Sequence, residues 1–384
     1  MTTDVLLVGG GTAGHVLPAV ATAQALLRLR PGLRLGFAGL PDSLEERLVG
    51  VSGHPFHHIE AIPLPRRPSA ELVRVAPRLR RAVRAARTLL DDESVRAVVS
   101  FGGYVALPVS LAARRRIPLV LHEQNSRPGL ANRLAGRFAD RVAVTFPSSI
   151  DRIPTAGRVH VTGNPVQERL RDLDVVARRG AGRQRLGLDP RRPTLLVFGG
   201  SQGARSINRS VTDAASAWRT LGVQVLHVTG HRDHEDALIR WSEVGVDPDS
   251  ESSGVRVLPF LDDMADAYAA ADVVVSRAGA TTIAELTVLG IPAVLVPYPH
   301  ATADHQRGNA EAVVGAGAAM MIDDAALSPD TLATAVAAII ADPARAGAMA
   351  SAARAWGRPE AAEGLARLVL EVLQGSPDEG ADHA

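Results

Sequence analysis

The chain has 384 residues, 46% of them hydrophobic and 22% charged, with a formal net charge of +1. That length exceeds one comfortable core and predicts two domains, while the near-neutral balance excludes a global field favouring nucleic acid. Cysteine is absent, which excludes disulfides, thiolate metal sites and a cysteine nucleophile. The basic side chains are all arginine, a bias that genomic base composition explains. No apolar run approaches the roughly 20 residues of a membrane-spanning helix. The amino end runs into an apolar strand at Val5–Val8 without a signal-peptide pattern. A cytoplasmic protein is expected, with attachment to a membrane surface left open.

From Val5, VLLVGGGTAGHVLPAVATAQAL reads as strand, glycine turn and helix. Gly9, Gly11 and Gly14 satisfy the G-x-G-x-x-G dinucleotide fingerprint. Two details oppose a nicotinamide cofactor. His15 follows the last glycine, and the next strand, Leu33 to Phe37, ends in Ala38-Gly39 with no acidic ribose ligand. His15 is either an inert residue of a first helical turn or a working histidine at the mouth of the glycine turn. Further on lie eight arginines, Arg66, Arg67, Arg74, Arg78, Arg80, Arg81, Arg84 and Arg87, against the single acid Glu71. Leu72, Val75, Leu79, Val83, Ala86 and Leu90 recur beside them at helical spacing. Such a run is either a solvated helix face or a basic amphipathic surface for anionic lipid or phosphate.

Strand Ala97–Ser100 leads to Gly102-Gly103-Tyr104 and an alanine-rich helix, and strand Leu119–Leu121 ends in His122-Glu123-Gln124-Asn125. Four polar side chains at a strand's carboxyl end suit a site better than a core. After strand Arg141–Val144, VHVTGNPV places a hinge at Gly163-Asn164-Pro165. PTLLVFGGSQGARSIN, Pro193 to Asn208, repeats strand, glycine turn and helix, with Ser201 adding a hydroxyl to the turn. QVLHVTG and VRVLPFLDDM continue the alternation. Strand Val273–Val275 then breaks at Arg277-Ala278-Gly279-Ala280, and Ile283, Leu286 and Leu289 resume at helical spacing. Gly290 suits the helix C-cap and Pro292 forbids continuation. A second strand, Ala293–Val296, completes a βαβ unit whose helix N-terminus points at the sheet's carboxyl edge, where α/β proteins bind anions. Thr282-Ile283-Ala284-Glu285 fits a capping box, in which Glu285 bonds back to the Thr282 amide. The competing role is a carboxylate that holds ribose hydroxyls. Amphipathic helices over Ala333–Ile340 and Glu360–Leu373 precede an acidic tail.

Other chemistries find little support. Asp262-Asp263 reads as helix capping, and Asp247-Pro248-Asp249 lies in a charged loop with no strand before it. The histidines form no zinc-like cluster, and Walker A and G-x-S-x-G motifs are absent. No metal or other cofactor is expected. What remains is an α/β chain of two Rossmann-like, doubly wound parallel-sheet domains facing a cleft. Its glycine turns and helix N-terminus suit a nucleotide diphosphate.

The segments GGGTAGHVLPA, FGGYV, LHEQNSRPGLANR, GNPV, FGGSQGARSIN, FLDDM, SRAGATTIAEL and DHQRGNA occur in that order over nearly the whole chain. Together they resemble the MurG family, bacterial UDP-N-acetylglucosamine transferases that act on undecaprenyl-pyrophosphoryl-N-acetylmuramyl-pentapeptide (lipid I). The resemblance implies a GT-B fold with an acceptor- and membrane-facing domain over 1–164 plus 357–374. It implies a UDP-sugar domain over 165–345 and a disordered tail over 375–384. A peripheral protein at the cytoplasmic face of the cell membrane is implied too, with contacts to other cell-wall synthesis or division proteins.

Matched motif by motif, Thr12, Ala13 and Gly14 fall in the family's first glycine loop, with His15 the first candidate base and Glu123 the second. Asn125 would contact the donor, Ser201 would lie by the diphosphate, and Leu261 would present backbone to the uracil. Ala280, Thr281, Thr282, Ile283, Ala284 and Glu285 would wrap phosphate and ribose, and Gln306 would hold sugar hydroxyls. In that company Glu285 is expected to bind ribose. Arg74, Arg78, Leu79, Arg81 and Val83 would face lipid. Two departures stand out. Gln167 occupies a position where the family pattern has arginine, with Arg169 as candidate replacement, and Asp304-His305-Gln306 replaces a glutamine-rich loop.

The implied reaction is one in-line displacement. The acceptor's C4 hydroxyl attacks C1 of the α-linked sugar, forming a β-1,4 bond with inversion and releasing UDP. Competing readings are a UDP-N-acetylglucosamine 2-epimerase, a NAD-dependent oxidoreductase and a non-catalytic nucleotide-sugar sensor.

Overall fold

The structure, a computed structural model, describes every residue except 1, 11–12, 51, 63–70, 156–158, 201–203, 249 and 376–384. The chain divides into two units, Met1–Gln167 with Pro359–Ala384 and Glu168–Arg358. Thr12, Ser201, Arg66, Arg67 and all of the expected tail except Gly375 fall outside the described residues.

In the first unit, short apolar runs form seven parallel strands: β1 (Val5–Val8), β2 (Leu35–Gly39), β3 (Phe56–His58), β4 (Ala97–Ser100), β5 (Leu119–Glu123), β6 (Arg141–Val144) and β7 (Val159–Val161). Their order is β3-β2-β1-β4-β5-β6-β7. Helices cover both faces. Val5, Leu7, Val99 and Val120 share one core with the helices Ala13–Leu29 and Ala361–Gln374, while Leu6, Val8, Val98, Leu119 and Leu121 share the other with Glu71–Asp92 and Ala106–Ala113. Burial on both sides is why these strands read as unbroken apolar runs. The final helix, Ala361–Gln374, belongs to this unit and packs on Ala13–Leu29.

The basic segment is a helix over Glu71–Asp92, and its apolar stripe packs in part against the unit's own core. Leu79 packs against Ile62, Val75 and Ala82, and Val83 packs against the core beneath the sheet. Both side chains are half-buried at these contacts. Arg78 and Arg81 are exposed, and both pair with Glu60, at 3.0 and 3.3 Å.

The second unit holds β8 (Thr194–Phe198), β9 (Gln224–Val228), β10 (Val255–Leu258), β11 (Val273–Ser276), β12 (Ala293–Leu295) and β13 (Ala319–Met321). They are parallel in the order β10-β9-β8-β11-β12-β13. Two helices without a clear sequence signal, Val175–Arg185 and Pro343–Trp356, begin at Asp174 and Asp342, whose carboxylates accept first-turn backbone N–H groups. Each sheet reverses its strand order once, between β1 and β4 and between β8 and β11. At such a switch point the loops leaving neighbouring strands diverge and open a crevice at the carboxyl edge. Among the described residues no single helix is long and apolar enough to cross a membrane.

Candidate active site

At the first switch point, the glycine turn after β1 lies against the Gly102-Gly103 loop after β4. A Cβ on Gly103 would come under 3.0 Å from the Gly10 carbonyl oxygen, and Gly103 has a φ of +85°. Only glycine satisfies both conditions. Ala13 opens the helix that follows, and Gly14 and His15 sit in its first turn. His15 is half-buried, its Cβ 3.4 Å from where a Cβ on Gly9 would stand. It is near enough to His122 for its charge to oppose protonation there.

β5 continues two residues beyond Leu121, so His122 and Glu123 are buried strand residues. Burial pushes the His122 imidazole down to about 4. Its Nε2 is 3.1 Å from the Gly163 carbonyl oxygen, and a neutral ring bonds a carbonyl only by donating, so Nε2 carries the proton. Burial pushes the Glu123 carboxyl up to about 7, against donors that favour the anion. Oε1 accepts from the Asn125 backbone N–H at 2.8 Å, and Oε2 accepts from Asn132 Nδ2 at 2.8 Å and Gly129 N–H at 3.3 Å. Both oxygens are thus committed to shaping the loop that carries Asn125.

At the second switch point, Gly200 after β8 takes a φ of +85°, and β11 runs into Arg277-Ala278-Gly279. Arg277 ties this loop to its surroundings. Its Nη1 donates to Asp324 at 2.6 Å and to the Val296 carbonyl at 3.2 Å, its Nη2 donates to Ser206 Oγ at 2.9 Å, and its guanidinium lies over the Tyr298 ring. Asn309 Nδ2 donates to the Ala278 carbonyl at 3.2 Å. Held from both sides, the loop delivers the helix Ala280–Leu289, which no side chain caps. The positive end of its dipole therefore faces the sheet's carboxyl edge. Gly290, left-handed at a φ of +69°, ends it as expected.

The helix begins after Gly279, so Thr282 is its third residue and Glu285 its sixth. A capping box requires the threonine to precede the helix, and that reading of Glu285 is incorrect. The Glu285 carboxylate instead accepts a 2.6 Å hydrogen bond from the Tyr268 hydroxyl. Burial pushes its carboxyl up to about 7, while the Tyr268 bond and the Arg169 charge pull it down. Arg169 also pairs with Asp263 at 3.2 Å, which brings the candidate replacement arginine to the Phe-Leu-Asp-Asp-Met loop. Leu261 is half-buried in that loop, beside an exposed Phe260 stacked on His231. Gln306 lies in the first turn of the helix His305–Gly315, where its Oε1 accepts from the Tyr298 N–H at 2.9 Å. Just before it, Ala303 and Asp304 both hold left-handed φ near +53° and +54°.

Gly14, His15, Glu123 and Asn125 thus gather on the first unit's carboxyl edge, and Leu261, the Ala280–Glu285 turn and Gln306 on the second's. Asn132, Tyr268 and Arg277 were missed. The signal for Tyr268 was available, since it is one of three tyrosines in the chain and sits in an alanine-rich helix.

Sequence profiles of the glycosyltransferase family 28 N-terminal and C-terminal domains match residues 5–144 and 194–365. The chain belongs to glycosyltransferase family 28. Within this family it is similar to a Nocardioides sp. protein named UDP-N-acetylglucosamine–N-acetylmuramyl-(pentapeptide) pyrophosphoryl-undecaprenol N-acetylglucosamine transferase, at 46% identity over 97% of this chain and 99% of that one. It is also similar to the crystal structure of MurG from Acinetobacter baumannii, with a TM-score of 0.72 and 29% identity over 96% of this chain and 99% of that one. The two parallel sheets are those of the GT-B fold. A UDP-N-acetylglucosamine 2-epimerase shares that fold with a TM-score of 0.65, over 98% of this chain and 97% of that one. At 17% identity the likeness is one of fold alone.

Proposed function

We propose that this family 28 glycosyltransferase moves N-acetylglucosamine from UDP-N-acetylglucosamine to the C4 hydroxyl of the N-acetylmuramyl unit of lipid I, giving lipid II and UDP. The observation that carries this reading is the near full-length similarity to the named Nocardioides transferase, combined with motifs that converge on two switch points. The uncapped helix at Ala280, Thr281 and Thr282 receives the diphosphate, and its dipole stabilises the charge that develops on the leaving UDP. Ser201 is assigned to the same diphosphate. Ile283 and Ala284 fix the turn, Glu285 accepts the ribose hydroxyls, Leu261 offers backbone to the uracil, Gln306 holds the sugar hydroxyls, and Asn125 is assigned a donor contact. Thr12, Ala13 and Gly14 are assigned to the donor.

His15 removes the acceptor proton as the C4 oxygen attacks C1. A histidine is suited to this because the side chain ordinarily titrates near neutral pH. Glu123 is assigned to holding the Asn125 loop, since its oxygens already serve that loop. In this reading Arg74, Arg78, Leu79, Arg81 and Val83 of Glu71–Asp92, of which Arg78 and Arg81 are exposed, face anionic lipid and hold the enzyme peripherally at the cytoplasmic face. Other cell-wall synthesis or division proteins are further partners in this reading.

The test is incubation of UDP-N-acetylglucosamine with enzyme, with and without a lipid I analogue. Acceptor-dependent UDP release with a β-1,4-linked product supports the proposal. Epimerised donor without acceptor, or nucleotide binding with no turnover, overturns it.

A further inference from the structure

Tyr268 meets three parts of the second unit's carboxyl edge. Its helix, Ala265–Ala270, follows the Phe-Leu-Asp-Asp-Met loop directly. Its ring packs edge-on against Phe198, the last residue of β8 before the Gly199-Gly200 turn, with centroids 6.0 Å apart. Its hydroxyl reaches Glu285 Oε2 at 2.6 Å. The side chain is only 1% exposed, so both ring and hydroxyl are fixed by packing. The helix is itself anchored, because Asp266 pairs with Arg178 and Arg185 of the helix Val175–Arg185 at 2.7 and 2.6 Å.

We propose that Tyr268 is a positioning residue of the donor site, holding Glu285 in the rotamer that receives the two vicinal hydroxyls of the ribose and thereby setting a preference for ribonucleotide over a nucleotide that lacks both hydroxyls. The inference rests on the reading of Glu285 as ribose ligand. An ionised carboxylate only accepts hydrogen bonds, so a phenol that spends its one proton on Oε2 leaves the orientation of Oε1 determined. Without that bond, the carboxylate of a long, flexible side chain samples other rotamers, and the hydroxyls must order it on binding. The diphosphate and the uracil are assigned to other groups. Loss of the phenol should therefore be felt at the two ribose hydroxyls and little elsewhere.

The experiment is titration calorimetry of the full-length protein with UDP and with 2′,3′-dideoxy-UDP. The wild-type protein should prefer UDP roughly 10- to 100-fold, the worth of a hydrogen bond to a charged acceptor. Tyr268→Phe should cut that ratio to within about threefold of unity, leaving 2′,3′-dideoxy-UDP affinity nearly unchanged as an internal check that the site is folded. Equal weakening for both nucleotides would show a merely structural tyrosine and overturn the proposal, as would an undiminished ratio. A wild-type ratio near one would sink the ribose role of Glu285 itself, which separates that failure from the failure of Tyr268. The double variant Tyr268→Phe/Glu285→Gln buries no unpaired carboxylate and supplies the test if the single variant does not fold. Compared with Glu285→Gln alone it should show no further change in the ratio, and a further fall would contradict action through Glu285.

Discussion

Replacing Gly103 by alanine tests whether the two loops of the first switch point must touch. The substitution carries two penalties that can be measured apart. Gly103 holds a φ of +85°, and Gly53 holds a comparable +71° with nothing within 4 Å of its absent Cβ. Gly53→Ala therefore reports the backbone penalty alone, roughly 1–2 kcal/mol for an L-residue in a left-handed conformation. Gly103→Ala adds the collision with the Gly10 carbonyl, a backbone group that cannot swing aside as a side-chain tip would. Overpacking of this kind costs roughly 1–3 kcal/mol, so the total should be about 2–5 kcal/mol. If the loops separate to relieve it, a displacement approaching 1 Å near His15 should lower turnover about 10²-fold. Thermal melting and initial rates of sugar transfer give the two readouts, and a domain of this size loses roughly 2–4 °C per kcal/mol. UDP affinity, which rests on second-unit residues, should not change. Melting and turnover of Gly103→Ala equal to those of Gly53→Ala would refute the reasoning.

Three further outcomes follow from the site. Glu285 holds its proton to about pH 7 in the folded state but to only about 4.5 when unfolded. Its carboxyl therefore favours the fold below pH 4.5, and that contribution is lost as pH rises through 7. Nucleotide-free Glu285→Gln should gain stability relative to wild type between pH 5 and pH 8, by up to about 3 kcal/mol, and a pH-independent difference in melting would contradict this. His15→Ala should reduce turnover roughly 10²- to 10⁴-fold with UDP affinity retained, and unchanged turnover under chemistry-limited conditions would remove His15 as base. Reversing Arg78 and Arg81 to glutamate should weaken sedimentation with anionic vesicles, and the wild-type interaction should fade with salt. Binding indifferent to lipid charge would point to another surface.

Much of the architecture was legible because two-sided burial writes strands as unbroken apolar runs and glycine turns mark their ends. Val5–Val8, Ala97–Ser100 and Arg141–Val144 have their expected bounds. What stayed hidden depends on tertiary surroundings. The spacing of Thr282 and Glu285 fits a cap, but where the helix begins is decided by Arg277 and Asn309 holding the preceding loop. The run His122 to Asn125 looked like an open polar site, yet Asn132, supplied from the following helix, satisfies Glu123 inside the fold. The helix Glu71–Asp92 shows the same limit, since periodicity locates an apolar stripe without saying what covers it.

The most direct test of the account is the initial rate of sugar transfer to a lipid I analogue, measured against UDP-N-acetylglucosamine concentration for wild type and Glu285→Ala. Loss of the ribose contact should raise the donor KM roughly 10- to 100-fold with a smaller effect on turnover. A variant with unchanged donor KM and turnover would contradict the assignment of the second switch point as the UDP-sugar site.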